Sequence, residues 1–258
     1  STKIKMIHRA VINIDKFGHP SLSENETHHL VRVRRLSAGD VFLGLHLEEA
    51  VWYRCVLSQE GQSLGIKIEQ PVGMVAESPL KIVLGVALIK KDKFEWMIQK
   101  ACEMGVQEII PLHTRYVEKS RLLGVQRSRL RWKKIMEESV KQCGRSRVPL
   151  LGSLRNTEEL LERPLPDLRV VLDPKSKKSF KEVLVKPALK TPRELILFTG
   201  PEGGWSDEEL ELFRLHKARV IHIGPRTLRA ETAVLAALSV AQFLWGDVTL
   251  RSKFLPDS

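Results

Sequence analysis

Apolar spacing changes character along the chain. Up to about residue 72 the apolar positions form short alternating runs at 10–14, 30–35, 41–45, 51–57 and 64–69, separated by segments rich in turn formers. Alternation with a period of two marks half-buried strands, and a succession of them predicts a small β-barrel. In Val31-Arg32-Val33-Arg34-Arg35 the valines would enter the core while Arg32 and Arg34 point outward. Such a basic strand either contacts an acidic partner or guards a sheet edge against aggregation.

Around Pro71, Gly73 and Pro79 the pattern breaks, as in a linker. This predicts one domain over 1–73 and a second, α/β domain over 78–251. A continuous apolar strand at 82–89 leads into a helix whose Phe94, Met97, Ile98, Ala101 and Cys102 share a face. Gly105 would stop that helix, and the strand at 108–112 completes a right-handed βαβ unit. Further strands at 168–172, 194–198 and 219–223 each precede a loop and a helix. Ligands of open α/β sheets gather at the carboxyl ends of strands, which places Asp173 and the loops 200–204 and 224–229 around one pocket. The helix at 233–245 is apolar nearly all round, so it is buried in a core or against another subunit, a homodimer interface being a natural place. Its apolar run contains Ser239 and Gln242 and falls short of the ~20 residues of a membrane span, so no membrane is expected.

Charge narrows the partner. A net charge of +11 suggests a polyanion such as nucleic acid, against the plainer alternative of a soluble basic protein. The basic residues concentrate on a predicted helix over 127–143 and on Arg145 and Arg147 beyond Gly144. Cys55, Cys102 and Cys143 form no Cys-x-x-Cys pair, so neither a disulfide framework nor a metal site is expected, and a cytoplasmic location is the default. Lys3, Lys5, His8 and Arg9 precede no apolar stretch of signal-peptide type.

The richest local sequence is Gly200-Pro201-Glu202-Gly203-Gly204-Trp205-Ser206, between an apolar strand and an acidic helix start. Its glycines let backbone approach a ligand closely. It lacks the Lys-Ser/Thr of a phosphate loop and the Gly-x-Gly-x-x-Gly of a dinucleotide turn. Glu202, Asp207, Glu208 and Glu209 would confront a phosphate with four carboxylates, so a cationic or neutral ligand is expected and a phosphate-nucleotide enzyme is disfavoured. Ser206 and Glu209 have the spacing of a capping box, which consumes donors that an anion would need. An ordinary capped strand-to-helix turn is the competing reading. Gly224-Pro225-Arg226-Thr227-Leu228-Arg229-Ala230-Glu231-Thr232 repeats the arrangement at the same end of the sheet.

With these two loops, Glu95-Trp96-Met97-Ile98-Gln99-Lys100-Ala101, and Gln142 with Gly144-Arg145-Ser146-Arg147-Val148-Pro149, the chain resembles the RsmE-like uridine methyltransferases of small-subunit (16S) ribosomal RNA, within the SPOUT superfamily. Trp205 stands where the family usually has Phe, and Thr227 where it has Ile. Arg9, His28-His29-Leu30 through Arg35, and Ala38-Gly39-Asp40 are similar to the family's PUA-like RNA-binding barrel. The resemblance implies a knotted α/β methyltransferase domain, with a C-terminal trefoil knot, after the small β-barrel. It implies S-adenosyl-L-methionine as cofactor, held by Leu172, Asp173, Thr199, Gly200, Pro201, Glu202, Gly203, Gly204, Ile223, Gly224, Arg226, Leu228, Arg229 and Thr232. Partners would be ribosomal RNA in the small subunit and a second copy of the chain.

Nitrogen 3 of uracil carries a proton and lies on the pairing edge, so the base must be unpaired and deprotonated to be methylated. Arg229 is the candidate to stabilise charge on a uracil carbonyl oxygen, with Glu202 or Glu231 orienting it or taking the proton. Arg9, Arg32, Arg34, Arg145 and Arg147 are the candidates for RNA contact. The alternative is a non-enzymatic RNA-binding or ribosome-assembly protein that keeps the loops as structural turns.

Overall fold

The alternating runs of the first segment form strands, with one exception. The structure, a computed structural model, describes residues 8–60, 63–73, 77–164, 166–184 and 191–248. Within these residues the chain divides after Glu77. Val140–Val148 group with the first unit, and Ser78–Ser139 and the residues from Pro149 onward form the second.

The first unit contains β1 (His8–Ile14), β2 (Pro20–Ser21), α1 (Glu24–His28), β3 (Val41–His46), β4 (Val51–Glu60) and β5 (Ser63–Val72). They form one sheet in the order β2-β1-β3-β4-β5, and its edges β2 and β5 meet, which leaves a nearly closed barrel. Inside pack Ala10, Ile12, Leu30, Leu36, Phe42, Cys55, Leu57 and Ile66. A methyl at Gly44 would come within 2.8 Å of Ile12 and 2.9 Å of Cys55, so only glycine fits there. The exception is the run at 30–35. Ser23 caps α1 by accepting a hydrogen bond from Glu26 N–H, and the helix continues as a π-helical turn over His29–Val33. Leu30 and Leu36 anchor this turn in the core while Arg32, Val33 and Arg34 are exposed. Local alternation of valine and arginine therefore yields to a capped helix start two turns upstream.

The Arg145 loop also differs from expectation. Arg145 is 2% exposed, and its guanidinium donates to Glu77 Oε2 at 2.8 and 3.1 Å. The other Glu77 oxygen accepts from the backbone N–H groups of Ser146 and Arg147, both at 3.1 Å. Arg145 is thus neutralised and enclosed and cannot be the RNA contact its charge suggested. Its carbonyl accepts from Trp52 Nε1 at 3.1 Å, beneath a cluster of Leu43, Leu45, Trp52 and Val140. Arg9 is half-buried and donates to the carbonyl of Gln142.

The second unit begins with β6 (Lys81–Ala87), α2 (Lys91–Glu103), β7 (Glu108–His113) and α3 (Lys119–Cys143), of which residues up to Ser139 belong here. There follow β8 (Leu150–Leu151), β9 (Arg155–Asn156), α4 (Thr157–Leu161), β10 (Leu168–Leu172), α5 (Phe180–Leu184), β11 (Glu194–Thr199), α6 (Asp207–Leu215), β12 (Arg219–Ile221) and α7 (Ala230–Trp245). The sheet is parallel in the order β12-β10-β11-β6-β7-β8, with β9 also on β7. Residues 195–198 of β11 form a continuous apolar run because helices cover a parallel sheet on both faces, and β10 is apolar apart from buried Arg169, whose guanidinium donates to the carbonyls of Leu161 at 2.8 Å and Arg163 at 3.0 Å.

On α7 the inward face carries Val234, Ala237, Leu238, Ala241 and Gln242, while Phe243 is 60% exposed. Gln242 is buried. Its amide oxygen accepts from Ser78 Oγ at 2.7 Å, and its amide nitrogen donates to the carbonyl of Met104 at 2.8 Å, at the end of α2. Among the described residues no helix is long and apolar enough to cross a membrane.

Replacing Glu77 by alanine strands a buried guanidinium and unties the 145–147 loop. The unfolding free energy, measured by urea titration with tryptophan fluorescence, is expected to fall by about 3 kcal/mol. Arg147→Ala, at an exposed side chain, is expected to change it by no more than about 0.5 kcal/mol.

Candidate functional site

Leu172 lies opposite Thr199 of β11 on one side and Ile221 of β12 on the other. Three parallel strands therefore end at one level, and the loops that follow them enclose a cavity of about 340 Å³. That volume lies at the small end of the range for small-molecule sites. The residues 172, 173, 199–204, 223, 224, 226, 228 and 229 expected for a cofactor line it, and so does Glu231. Thr232 does not; it is exposed. Residues 230 and 233 share a helical face toward the cavity, and 232 falls on another face.

The first loop is fixed by its tryptophan. Trp205 is buried, donates its Nε1–H to the carbonyl of Leu172 at 2.9 Å, and meets Phe213 edge-to-face at 4.8 Å, with Phe198 on the other side of Phe213 at 4.9 Å. The loop after β11 is thereby bonded to the end of β10. A methyl at Gly200 would sit 3.1 Å from the Trp205 ring, so the loop backbone packs closely against the indole. Gly204 and Gly224 have φ of +77° and +73°, which non-glycine residues rarely adopt. The Ser206–Glu209 capping box is formed in both directions. Asp207, Glu208 and Glu209 do not line the cavity, so of the four carboxylates expected to face a ligand only Glu202 does so. The cavity acquires its other acids, Asp173 and Glu231, from β10 and α7.

Long-range pairs that have no local sequence signal set the charge. Arg121, at the start of α3, donates to Glu202 at 3.0 Å, to Glu118 at 2.9 Å and to the carbonyl of Leu88 at 3.2 Å. Burial works to raise the Glu202 carboxyl, but its own backbone N–H, Arg121 and Lys93 outweigh it and hold the group below the ordinary glutamate value. Lys93 approaches Glu231 at 3.8 Å. Asp173 is buried and accepts from the backbone N–H of Lys175 at 3.0 Å. Arg229, the residue before α7, is exposed; its carbonyl accepts from the backbone N–H of Ala233 at 2.8 Å, while its guanidinium makes no hydrogen bond or ion pair among the described residues. Neither Glu202 nor Glu231 is its partner. Lys93, Lys175 and Trp205 also line the cavity and were missed as site residues, although Trp205 follows directly on the loop glycines.

The candidates for RNA contact all lie in the first unit. Arg32, Arg34 and Arg147 are exposed, Arg9 is half-buried, and Arg145 is buried on Glu77. Among the described residues no cluster of His, Cys, Asp and Glu could hold a metal ion.

A cavity under two glycine loops at the carboxyl end of a parallel sheet is the setting of a small-molecule site, and comparison with known proteins gives its class. The model of the RNA methyltransferase domain matches residues 76–242. The ribosomal RNA small subunit methyltransferase E of Bacillus subtilis is 32% identical over 230 residues, covering 86% of this chain and 89% of that protein. The same-named protein of Buchnera aphidicola from Schizaphis graminum is 30% identical over 234 residues, covering 89% and 92%. A Legionella pneumophila protein assigned as a methyltransferase, solved with S-adenosylmethionine bound, superposes with a TM-score of 0.78 at 28% identity over 94% of this chain and all of that one. The Neisseria gonorrhoeae ribosomal RNA small subunit methyltransferase E, at 23% identity and a TM-score of 0.80, shows the same fold. The fold is that of an α/β RNA methyltransferase. The chain belongs to the ribosomal RNA small subunit methyltransferase E family.

Trp205→Phe keeps a ring against Phe213 but leaves the buried carbonyl of Leu172 without its donor. A loss of about 1 to 3 kcal/mol is expected in urea unfolding. The Glu202 pair sets an acid limb. Because the folded carboxyl titrates below its unfolded counterpart, its stabilisation is complete above the ordinary glutamate value and is lost as pH falls through the lower folded value. Glu202→Gln is expected to flatten the pH dependence of stability below about pH 4.5, measured by thermal melts across that range.

Proposed function

We propose that the protein transfers the methyl group of S-adenosyl-L-methionine to nitrogen 3 of a uridine in small-subunit (16S) ribosomal RNA. The carrying observation is the cavity closed by the two glycine loops, with an unpaired arginine, Arg229, at its edge. The residues fit the cofactor. Leu172, Ile221, Ile223, Leu228 and Ala233 supply apolar wall, and the carboxylates of Asp173, Glu202 and Glu231 suit a cation. Bound there, S-adenosyl-L-methionine supplies a methyl group already activated on a sulfonium.

The chain's own residues then have to hold an unpaired uracil and remove its proton. Alignment of two reactants is worth about 7 to 11 kcal/mol, and the loops after β10, β11 and β12 supply it. Arg229 donates to a uracil carbonyl oxygen as negative charge develops there. Glu202, held below the ordinary value and paired with Arg121, is a poor proton acceptor near neutral pH and serves to hold its loop. Glu231, with Lys93 at 3.8 Å rather than in a direct hydrogen bond, takes the proton, on the helix that Arg229 opens.

The same reading extends to the architecture. The nearly closed barrel with exposed Arg32, Arg34 and Arg147 is a PUA-like RNA-binding domain, and the segment from residue 78 onward is the methyltransferase domain. A trefoil knot at its C-terminal end is supported by a last strand paired with β10 and a last helix that returns to α2 and β11. The exposed Phe243 on otherwise apolar α7 supports a homodimer. The enzyme works in the cytoplasm, on ribosomal RNA of the small subunit.

Calorimetry is expected to show S-adenosyl-L-methionine binding, and mapping of ribosomal RNA from cells with and without the protein is expected to show one 3-methyluridine that depends on it. Arg229→Ala is expected to lower kcat about 100- to 1,000-fold. RNA affinity should fall with salt, with a slope of about −0.7 per phosphate neutralised. RNA binding without cofactor binding or methyl transfer would support a non-enzymatic ribosome-assembly protein instead.

A further inference from the structure

One aromatic side chain stands beside the cavity without lining it. Tyr116 lies in the loop between β7 and α3 and is 53% exposed. A single exposed aromatic is ordinary on a protein surface, but this one lies against a wall of the cavity. A methyl at Gly203, a cavity-lining residue, would come within 3.0 Å of Tyr116 Cβ and 3.5 Å of its Cγ. A side chain at 203 would lift Tyr116 from the loop.

The tyrosine is also held in place from both sides. Before it in sequence, the backbone N–H of Arg115 donates to Glu209 Oε1 at 3.1 Å, at the start of α6. After it, Arg121 donates to Glu202 at 3.0 Å, within the glycine loop itself. Val117 next to it is buried, whereas the Tyr116 hydroxyl makes no hydrogen bond among the described residues. The segment is thus strapped twice to the elements that build the cavity, and its one large apolar side chain is left facing outward at the edge.

A uridine methylated on its pairing edge has been taken out of the stack and has lost its neighbours on both faces. Aromatic side chains replace that lost stacking in proteins that bind single-stranded RNA. We infer that Tyr116 is the stacking platform for an unpaired base of the RNA at the edge of the cofactor cavity. The inference rests on the proposed RNA methyl transfer and adds the residue that binds the base, on a loop that contributes nothing to the cavity lining.

The test compares Tyr116→Ala, Tyr116→Phe and Tyr116→Trp in the full chain, with small-subunit ribosomal RNA as substrate. Tyr116→Ala is expected to raise the KM for RNA about 5- to 150-fold, the range given by the loss of one base–aromatic stack. The affinity for S-adenosyl-L-methionine and the melting temperature should stay at wild-type values, and Phe and Trp should restore the KM. An unchanged KM in Tyr116→Ala overturns the inference. So does a parallel loss of cofactor affinity, which would make Tyr116 a prop for Gly203, or a Phe variant as impaired as Ala. If the wild-type chain transfers no methyl to RNA, the underlying function fails and the inference with it. Normal wild-type transfer with an unaffected Tyr116→Ala removes the stacking role alone.

Discussion

Leu172 faces Thr199 on one side and Ile221 on the other, and this register decides where everything else can be. A parallel sheet delivers its loops to one end, but it does not oblige neighbouring strands to stop at the same height. Here they do, so three loops begin within two strand spacings of one another, about 10 Å. The indole of Trp205 then converts proximity into connection by bonding to the last carbonyl of β10. The Phe198–Phe213–Trp205 rings give the loop a solid floor beneath its glycines. Backbone freedom at Gly204 and Gly224 and rigidity at Trp205 are complementary. The glycines permit the curvature, and the tryptophan selects one curve.

Charge at the site is assembled from residues far apart in sequence. Glu202 is gripped by Arg121 and Glu231 faces Lys93, so two of the three acids that line the cavity are engaged by cations from the N-terminal half of the α/β unit. Arg229 is left without such a partner, which keeps its donors available to a ligand. Local acids in the first turn of α6 do a different job. Glu209 closes the capping box with one oxygen and takes the Arg115 N–H with the other, and so serves the scaffold on both counts.

Much of this was legible in the sequence because the signals were local. The strands at 168–172 and 194–199, the capping box and both glycine loops depend on residues within a few positions of each other. The loops therefore mark the position of the cavity in the sequence itself. What could not be read depends on distant partners. The run at 30–35 has strand spacing, yet Ser23 starts a helix upstream and Leu30 and Leu36 pull the continuing turn into the core. Arg145 looks like a surface cation, and only Glu77, 68 residues away, makes it a buried structural one. Arg121 and Lys93 gave no hint of proximity to the glycine loops. Thr232 was carried along with its motif, although the helical turn aims it elsewhere.

The amide of Gln242 has a consequence at the opposite end of its helix. It ties α7 to Ser78 and to the end of α2, thirteen residues from Arg229. At 1.5 Å per residue that is about 20 Å of stiff rod, so a tilt of about 3° at the tied end swings the arginine by about 1 Å. Displacements of that size are enough to cost a reaction about 100-fold. The buried amide is the fulcrum of a lever, and the position of Arg229 at the cavity is set by a residue that does not line it.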